Sequence, residues 1–339
     1  MKLQIARQPF VPAFLTLTLV TAVALWGMPA SDAATDEPVA RVADMIGSGM
    51  AMSMPGEMLL QFQHTFPGWA RWATLFAALF AGMSIGRISV HTNLYGVSSC
   101  LTIPLFGIFS CALADSEVSL MLFVTALLLA SSMRLYCAAF RNGYSFDAMF
   151  RASFCLGLLV LIRPVALPLL VLLPFSILVF QRTLRESVVA LAGLLLAPAV
   201  LCYANWAMGG TFVAPFVAVR NEFLGGIIFS SFLSADEIWL WCAGVFMGLN
   251  IWGIGSIAAH FYSVGTRARY LLAYNIGVMV FCMAVLCGPA ATTTDTAWMA
   301  VPSAVLLPFL FVRMFSTFAT LIYLSLLAAT LMLPHLPLA

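Results

Sequence analysis

Charged side chains are scarce in this sequence. Asp, Glu, Lys and Arg together make up only 8% of the 339 residues, whereas soluble domains carry about 25%. A soluble fold of this length would have too few polar groups to cover its surface, so lipid must be its main solvent. The net charge is only +2, and we therefore expect no nucleic-acid partner.

Sequence motifs for chemistry are also few. The eight cysteines lie singly, nearly all in apolar runs, and none forms the close pairs that bind zinc or carry out redox chemistry. The four histidines are scattered, and no phosphate-binding loop, nucleophile elbow or cluster of His and acidic residues appears. We predict no metal site, and the sequence leaves any cofactor undetermined.

Long apolar runs account for most of the chain, since 63% of the residues are hydrophobic. The runs do not alternate in polarity as barrel strands would, and about 20 apolar residues suffice for one helical span. We therefore predict an all-α, polytopic transmembrane helix bundle of about eleven spans, with residues 1–339 as a single transmembrane domain. The predicted spans are Val11–Met28, Trp69–Ser89, Leu94–Leu113, Val118–Tyr136, Ala148–Ile162, Val165–Phe180, Val188–Met208, Ile238–Tyr262, Tyr270–Gly288, Ala297–Val312 and Phe315–Leu333. The fifth and sixth are short, and a re-entrant hairpin is the alternative for them.

The charges between the spans predict the orientation of the chain. Basic residues concentrate in cytoplasmic loops, and a cytoplasmic N-terminus with an external C-terminus puts most of them inside. The residues on that side are Lys2, Arg7, Arg87, Arg134, Arg141, Arg151, Arg182, Arg185, Arg267, Arg269 and Arg313. Nearly all acidic residues then fall outside, and dropping one span would scramble both patterns.

The N-terminal segment Met1–Ala33 has two interpretations. Lys2 and Arg7, the apolar run after them and the small residues around Asp32 are typical of a signal peptide. The apolar run is long for a signal, so we favour a retained first span. The following loop is external in either case.

Two predicted external loops, residues 29–68 and 209–237, are longer than simple turns require. In the first, Pro55-Gly56 and Pro67-Gly68 indicate breaks, and Ala40–Met54 is typical of a helix lying on the membrane surface. In the second, the apolar stretch Phe223–Phe232 predicts a partly inserted loop.

Two pairs of glycines have the spacing that lets membrane helices approach closely. These are Gly82 with Gly86 and Gly244 with Gly248. We interpret both pairs as packing contacts between helices.

Adjacent carboxylates follow the first span in the segment from Asp36 and Glu37 to Arg41, which leads through Gly47 and Gly49 to Pro55. This segment resembles the first outer loop of membrane glycosyltransferases that use polyprenyl-phosphate sugars. The resemblance implies that Asp36 or Glu37 acts as a catalytic base or a metal ligand, and a polyprenyl-phosphate carrier would be the partner. The alternative is that an external loop simply accumulates acidic residues.

Arg163 lies between two apolar runs and just before Pro164. An arginine at the bilayer centre costs about 2.5–3.5 kcal/mol on insertion scales, so we expect it not to face lipid at depth. It could cap a hairpin at the outer interface, with its stem snorkelling to water, or enter an outer cavity and bind a substrate phosphate bidentately. Arg220, in the second external loop, would then be the second phosphate-binding residue.

A second resemblance covers residues 87–198. Its features follow the order Arg87 and His91, Asn93-Leu94-Tyr95, Arg134-Leu135, Phe146-Asp147-Ala148, Gly157, Arg163-Pro164, Arg182, Arg185-Glu186, Gly193 and Pro198. This order is similar to that in an uncharacterised family of bacterial multispanning inner-membrane proteins. This resemblance implies a multi-pass location in the cell inner membrane, with membrane lipids as partners, and it assigns no activity.

Three functions remain open from the sequence. The first is a cell-envelope glycosyltransferase that uses a polyprenyl-linked sugar. The second is a lipid or solute transporter, which should place ionisable residues in the middle of its spans. The third is a non-catalytic scaffold or partner subunit of an envelope assembly.

Overall fold

Helices make up nearly all of the chain that the computed structural model describes, namely residues 8–27, 54–92, 94–96, 99–112, 118–140, 145–224, 237–288 and 291–332. The α-helices are α1 (Phe10–Gly27), α2 (Met54–Thr65), α3 (Pro67–Thr92), α4 (Thr102–Ala112), α5 (Ser119–Ala139), α6 (Phe146–Ile162), α7 (Leu172–Val179), α8 (Leu184–Ala207), α9 (Ala214–Leu224), α10 (Glu237–Ala259), α11 (Thr266–Leu286), α12 (Ala300–Arg313) and α13 (Ser316–Met332). Short 3₁₀ segments cover Pro164–Val171, Phe261–Ser263 and Thr293–Met299.

Seven helical segments within these described ranges are long and apolar enough to cross a membrane. They are Phe10–Gly27, Pro67–Thr92, Ser119–Ala139, Leu184–Ala207, Trp239–Ala259, Thr266–Leu286 and Asp295–Arg313. Three further apolar helices are shorter: Thr102–Ala112, Pro164–Val179 and Ser316–Met332. The described part of the chain is thus all-helical and typical of a membrane protein, whereas the count of eleven spans and the sides of both termini stay predictions.

The bundle is organised around α4 and α12. Thr102 to Cys111 and Ala300 to Phe311 are buried without interruption, so both helices face protein on every side. Helices α1, α3, α10, α11 and α13 surround this pair, and α3, α5, α6 and α8 continue outward as a row of neighbours. The outermost helix of that row, α8, is mostly exposed, as a lipid-facing helix should be.

Exposed tryptophans mark one end of the bundle, which we call the tryptophan end. It carries Trp26, Trp69, Trp72 and Trp206, and the rings of Trp26 and Trp72 are in edge-to-face contact. Aromatic residues of this kind gather where membrane helices enter the headgroup region. The opposite end, here the arginine end, carries the arginines that the charge pattern assigns to the cytoplasm.

Both predicted breaks fall at helix starts, and the one at Pro67-Gly68 separates α2 from α3. Pro55 is the second residue of α2 and Pro67 is the first residue of α3. Proline is tolerated in the first turn of a helix, because the N–H that it lacks would have no partner there. Both dipeptides therefore begin helices within the loop 29–68.

Among the described residues of the third predicted span, Leu94–Leu113, the helix covers Thr102–Ala112. Gly96 has a φ of +70°, a left-handed conformation that glycine adopts readily, and it lies in a turn before α4. The remaining helix rises about 16 Å at 1.5 Å per residue, which is short of the roughly 30 Å hydrocarbon core. This helix packs in the centre of the bundle and is too short to cross the hydrocarbon core alone.

Of the two glycine pairs, only the first packs as predicted. A Cβ at Gly82 would lie 2.5 Å from Leu17 of α1, and one at Gly86 would lie 2.7 Å from Ile103 of α4. Nothing in the described chain lies within 4 Å of a Cβ built on Gly244 or Gly248. The packing prediction is therefore wrong for the second pair within this structure.

Parts of both external loops fall in the described chain. The loop 29–68 contains α2, and its predicted surface helix Ala40–Met54 lies outside the described residues except for Met54. The loop 209–237 contains α9. Of the stretch predicted to insert, Phe223–Phe232, only the first two residues are described.

Candidate functional site: a buried ion pair at the tryptophan end

Arg163 lies between the end of α6 and the 3₁₀ segment Pro164–Val171. The residue before a proline is disfavoured in the α conformation, and Arg163 is accordingly extended, with φ −130° and ψ 98°. Its backbone N–H still donates to the carbonyl of Leu159 at 3.0 Å. The proline thus ends the helix at Ile162 and leaves the arginine side chain at the helix terminus.

Asp295 is held in the 3₁₀ segment Thr293–Met299 by a capping box with Thr292. One of its carboxylate oxygens accepts from the Thr292 backbone N–H at 2.8 Å and lies 3.0 Å from the Thr292 hydroxyl. Three residues on, the Trp298 indole N–H donates to the Thr125 hydroxyl of α5 at 2.9 Å. The segment is therefore fixed to the bundle, and the carboxylate has a defined direction.

The two side chains meet in the protein interior. Nε of Arg163 lies 3.1 Å from Oδ1 of Asp295, and Nη2 lies 2.8 Å from Oδ1 and 2.7 Å from Oδ2. Nη2 also donates to the Thr292 hydroxyl at 3.0 Å. The side chains are only 1% and 4% exposed, so each charge depends on the other for compensation.

This placement overturns the expectation that Arg163 snorkels to water from a hairpin tip. The side chain is enclosed by protein and engaged by Asp295 and Thr292. Burial of an unpaired guanidinium would cost several kcal/mol, and the capping box supplies the compensating carboxylate. The chain does turn at Arg163-Pro164, as the sequence predicts.

The depth of the pair follows from the alignment of α6 with α8. At the arginine end, the backbone N–H of Ser145 donates to Glu186 of α8 at 3.2 Å, so the two helices begin at nearly the same level. Further along, a Cβ at Gly157 would lie 3.1 Å from Ala197. If the two helices keep this alignment, the C-terminal end of α6 lies near Tyr203 of α8. The exposed ring of Tyr203 contacts that of Trp206. Arg163 therefore lies near the depth of the interfacial aromatic residues, but inside the protein.

Short helical segments lie at the same end of the bundle as this pair. We call α2, α9 and the 3₁₀ segments Pro164–Val171 and Thr293–Met299 the tryptophan-end layer. Leu60 of α2 packs with Met121 of α5 and Ile162 of α6. Helix α9 packs against α8 and against the 3₁₀ segment that follows Arg163.

The predicted site residues are not all brought together. Arg163 is buried at the centre of the layer, whereas Arg220 is exposed on α9 and is not part of the ion pair. Asp36 and Glu37 lie outside the described residues. No group of three His, Cys, Asp or Glu side chains within the described ranges is arranged to hold a metal ion.

Sequence reasoning missed Asp295 and Thr292. Their spacing is that of a capping box, and Asp295 is an isolated carboxylate just ahead of an apolar run. Such a carboxylate needs a cationic partner when it is buried. These two signals together could have identified Asp295 as a buried site, although not Arg163 as its partner.

A second buried ion pair lies at the arginine end. Arg182 Nη1 donates to Glu186 Oε1 at 3.2 Å, and Glu186 forms a capping box with Thr183. Because the same carboxylate accepts from Ser145, this pair joins the first turns of α6 and α8. These contacts hold two helices together, which is a structural role.

Comparisons of the chain with protein-family models, with curated proteins and with solved structures found no match.

Proposed function

We propose that this chain is a multi-pass protein of a bacterial inner membrane that acts at the envelope side as a glycosyltransferase on a polyprenyl-phosphate-linked sugar. The observation that carries the proposal is the tryptophan-end layer with the Arg163–Asp295 pair at its centre. A protein that only crosses the bilayer needs short turns between its helices. A layer of short helices at one end provides a surface at headgroup depth, where a lipid-linked phosphate lies.

The proposed roles divide among three places in the chain. Asp36 and Glu37 supply the base or metal ligand that the sequence resemblance implies. Arg220, exposed on α9, meets the phosphate of the carrier. Arg163, already engaged by Asp295, holds the layer together and binds the phosphate only when that anion replaces the carboxylate.

The test uses the full chain in proteoliposomes that contain polyprenyl-phosphate-linked radioactive sugars and an acceptor extract. We expect the wild-type protein to release polyprenyl phosphate, and the Asp36→Asn/Glu37→Gln variant to lose this release at an unchanged protein level. Arg185→Gln, which alters an exposed charge at the opposite end, is the control. Undiminished release by the double variant would remove the glycosyltransferase proposal.

A second candidate, a partner subunit of an envelope assembly, is favoured by the surface of α10. Gly244, Gly248 and Gly255 are exposed and have open space where a Cβ would be, beside the exposed Trp241 and Trp252. Small residues at this spacing allow another helix to approach closely. Gly244→Leu/Gly248→Leu should leave the isolated chain folded and abolish co-purification of any helical partner, and retention of the partner would exclude this surface.

The transporter alternative has less support. Within the described ranges, the charged residues that are fully buried are Arg163, Asp295 and Glu186. The contacts above put them near the two ends of the bundle rather than in the middle of a span, where transport pathways place such groups.

A further inference from the structure

Helix α3 exposes a long apolar face to the membrane. Phe76 and Phe80 are 54% and 55% exposed. At 100° per residue, Trp72, these two phenylalanines, Arg87 and His91 lie within about one third of the helix circumference. This face therefore runs from a tryptophan at one end to basic residues at the other.

Helix α5 lies beside α3 and runs in the same direction. Helix α2 leads directly into α3, and its Gln63 accepts from the backbone N–H of Leu120 in the first turn of α5 at 3.0 Å. Both helices thus begin at the tryptophan end, and they pack together along their length. Leu127, Ser131 and Arg134 of α5 are half-buried, and their spacing puts them on one face.

Arg87 and Arg134 occupy matching positions at the arginine end. Each precedes the last residue of its helix, Thr92 or Ala139, by five positions. The two helices that carry them pack against each other. Two arginines on neighbouring parallel helices therefore lie at the same end of the bundle, and the apolar face of α3 extends from Arg87.

These two arginines lack the partners that several other arginines at that end have. Arg182 pairs with Glu186, and Arg151 pairs with Asp147. Arg313 lies over the ring of Phe309, with its guanidinium carbon 4.2 Å from the centroid. Neither Arg87 nor Arg134 has a hydrogen bond or an ion pair to another residue in the described ranges.

Two like charges on neighbouring helices, with no counter-ion in the described chain, favour binding of an anion between them. A phosphate suits two guanidinium groups, because each can donate two parallel hydrogen bonds. An acyl chain attached to that phosphate would lie along the exposed face that includes Phe76 and Phe80. A free phosphate would use the arginines and leave this apolar face unused.

We propose that Arg87 and Arg134 bind the phosphate of an anionic phospholipid whose acyl chain lies along α3 and α5, with His91 at the rim of the headgroup site. The lipid would belong to the leaflet at the arginine end. This site is separate from the tryptophan-end layer and does not depend on the proposed enzymatic function. Binding there stabilises the α3–α5 pair by neutralising its charge repulsion.

The test measures lipid binding to the purified full-length chain by native mass spectrometry and by thermal unfolding in a neutral detergent. Phosphatidylglycerol is the probe, phosphatidylcholine is the zwitterionic comparison, and inorganic phosphate tests the soluble source. An interfacial arginine contributes about 1 kcal/mol, or roughly fivefold in affinity. We expect about fivefold weaker phosphatidylglycerol binding for Arg87→Gln or Arg134→Gln, and on the order of 25-fold for the double variant.

Arg185→Gln is the matched control, because it removes one exposed charge from the same end of the bundle and should leave binding unchanged. If the glutamine variants fail to accumulate, Arg87→Lys/Arg134→Lys keeps both charges and loses the planar forks, so its binding should still be weaker than that of wild type. The proposal would be overturned if the double-glutamine variant, or the double-lysine variant used in its place, bound phosphatidylglycerol as tightly as wild type does. The proposal would also be overturned if inorganic phosphate stabilised the protein against thermal unfolding and phosphatidylglycerol did not, since that result would assign a soluble ligand to the arginines.

Discussion

Arg163 and Asp295 are 132 residues apart in the chain, and yet Nη2 of the first lies 2.7 Å from Oδ2 of the second. Arg163 belongs to the turn after α6, whereas Asp295 belongs to the 3₁₀ segment that leads into α12. Their contact therefore joins the outer row of helices to the central pair at the tryptophan end.

Removal of either partner should destabilise the protein strongly. Arg163→Leu or Asp295→Leu leaves an uncompensated buried charge, which typically costs about 3–5 kcal/mol. The double variant Arg163→Leu/Asp295→Leu should be much less destabilised than the sum of the single variants, because neither charge remains. The free energy of unfolding in mixed micelles measures this, and strict additivity would show that the two charges are not coupled.

Arg163→Lys separates charge from geometry. Lysine keeps the positive charge but cannot reach both carboxylate oxygens and the Thr292 hydroxyl through a planar fork. We expect stability between those of wild type and Arg163→Leu. Arg220→Lys, at the exposed position on α9, should change stability by less than about 0.5 kcal/mol. A lysine variant that inserts, accumulates and functions like wild type would show that bidentate binding by Arg163 is unnecessary.

Gly193 should not tolerate a side chain. A Cβ there would lie 2.4 Å from the backbone oxygen of Phe150, so Gly193→Ala must push α6 and α8 apart at a cost of about 1–3 kcal/mol. Gly244→Ala is the matched control in an open helix surface, where alanine favours the helix by up to about 1 kcal/mol. The midpoint temperature of thermal unfolding should fall for Gly193→Ala and rise for Gly244→Ala. Equal shifts would contradict the close contact of α6 and α8.

The orientation can be tested independently of stability. Reporter fusions after Arg185 and Arg269 should give a cytoplasmic signal, and fusions after Asp115 and Asp236 should give an external one, because basic loops remain inside. A cytoplasmic signal at Asp115 would remove the eleven-span arrangement.

The glycine motifs show where sequence patterns reach their limit. Gly82 and Gly244 begin the same four-residue spacing, but within the described residues only the first lies close to a neighbouring helix. Spacing determines which residues share a face of a helix. Which helix, if any, covers that face depends on the packing of the whole bundle.

The sequence by itself determined that this protein is helical and embedded in a membrane, because 63% hydrophobic residues in long runs leave no other way to satisfy the backbone in lipid. It also determined the chain turn at Arg163-Pro164, since that effect is local to the proline. Only the tertiary structure decided that Arg163 is buried against Asp295 and that residues 94–96 turn before α4 begins. Those outcomes depend on contacts between distant segments, for which neither hydropathy nor local spacing carries information.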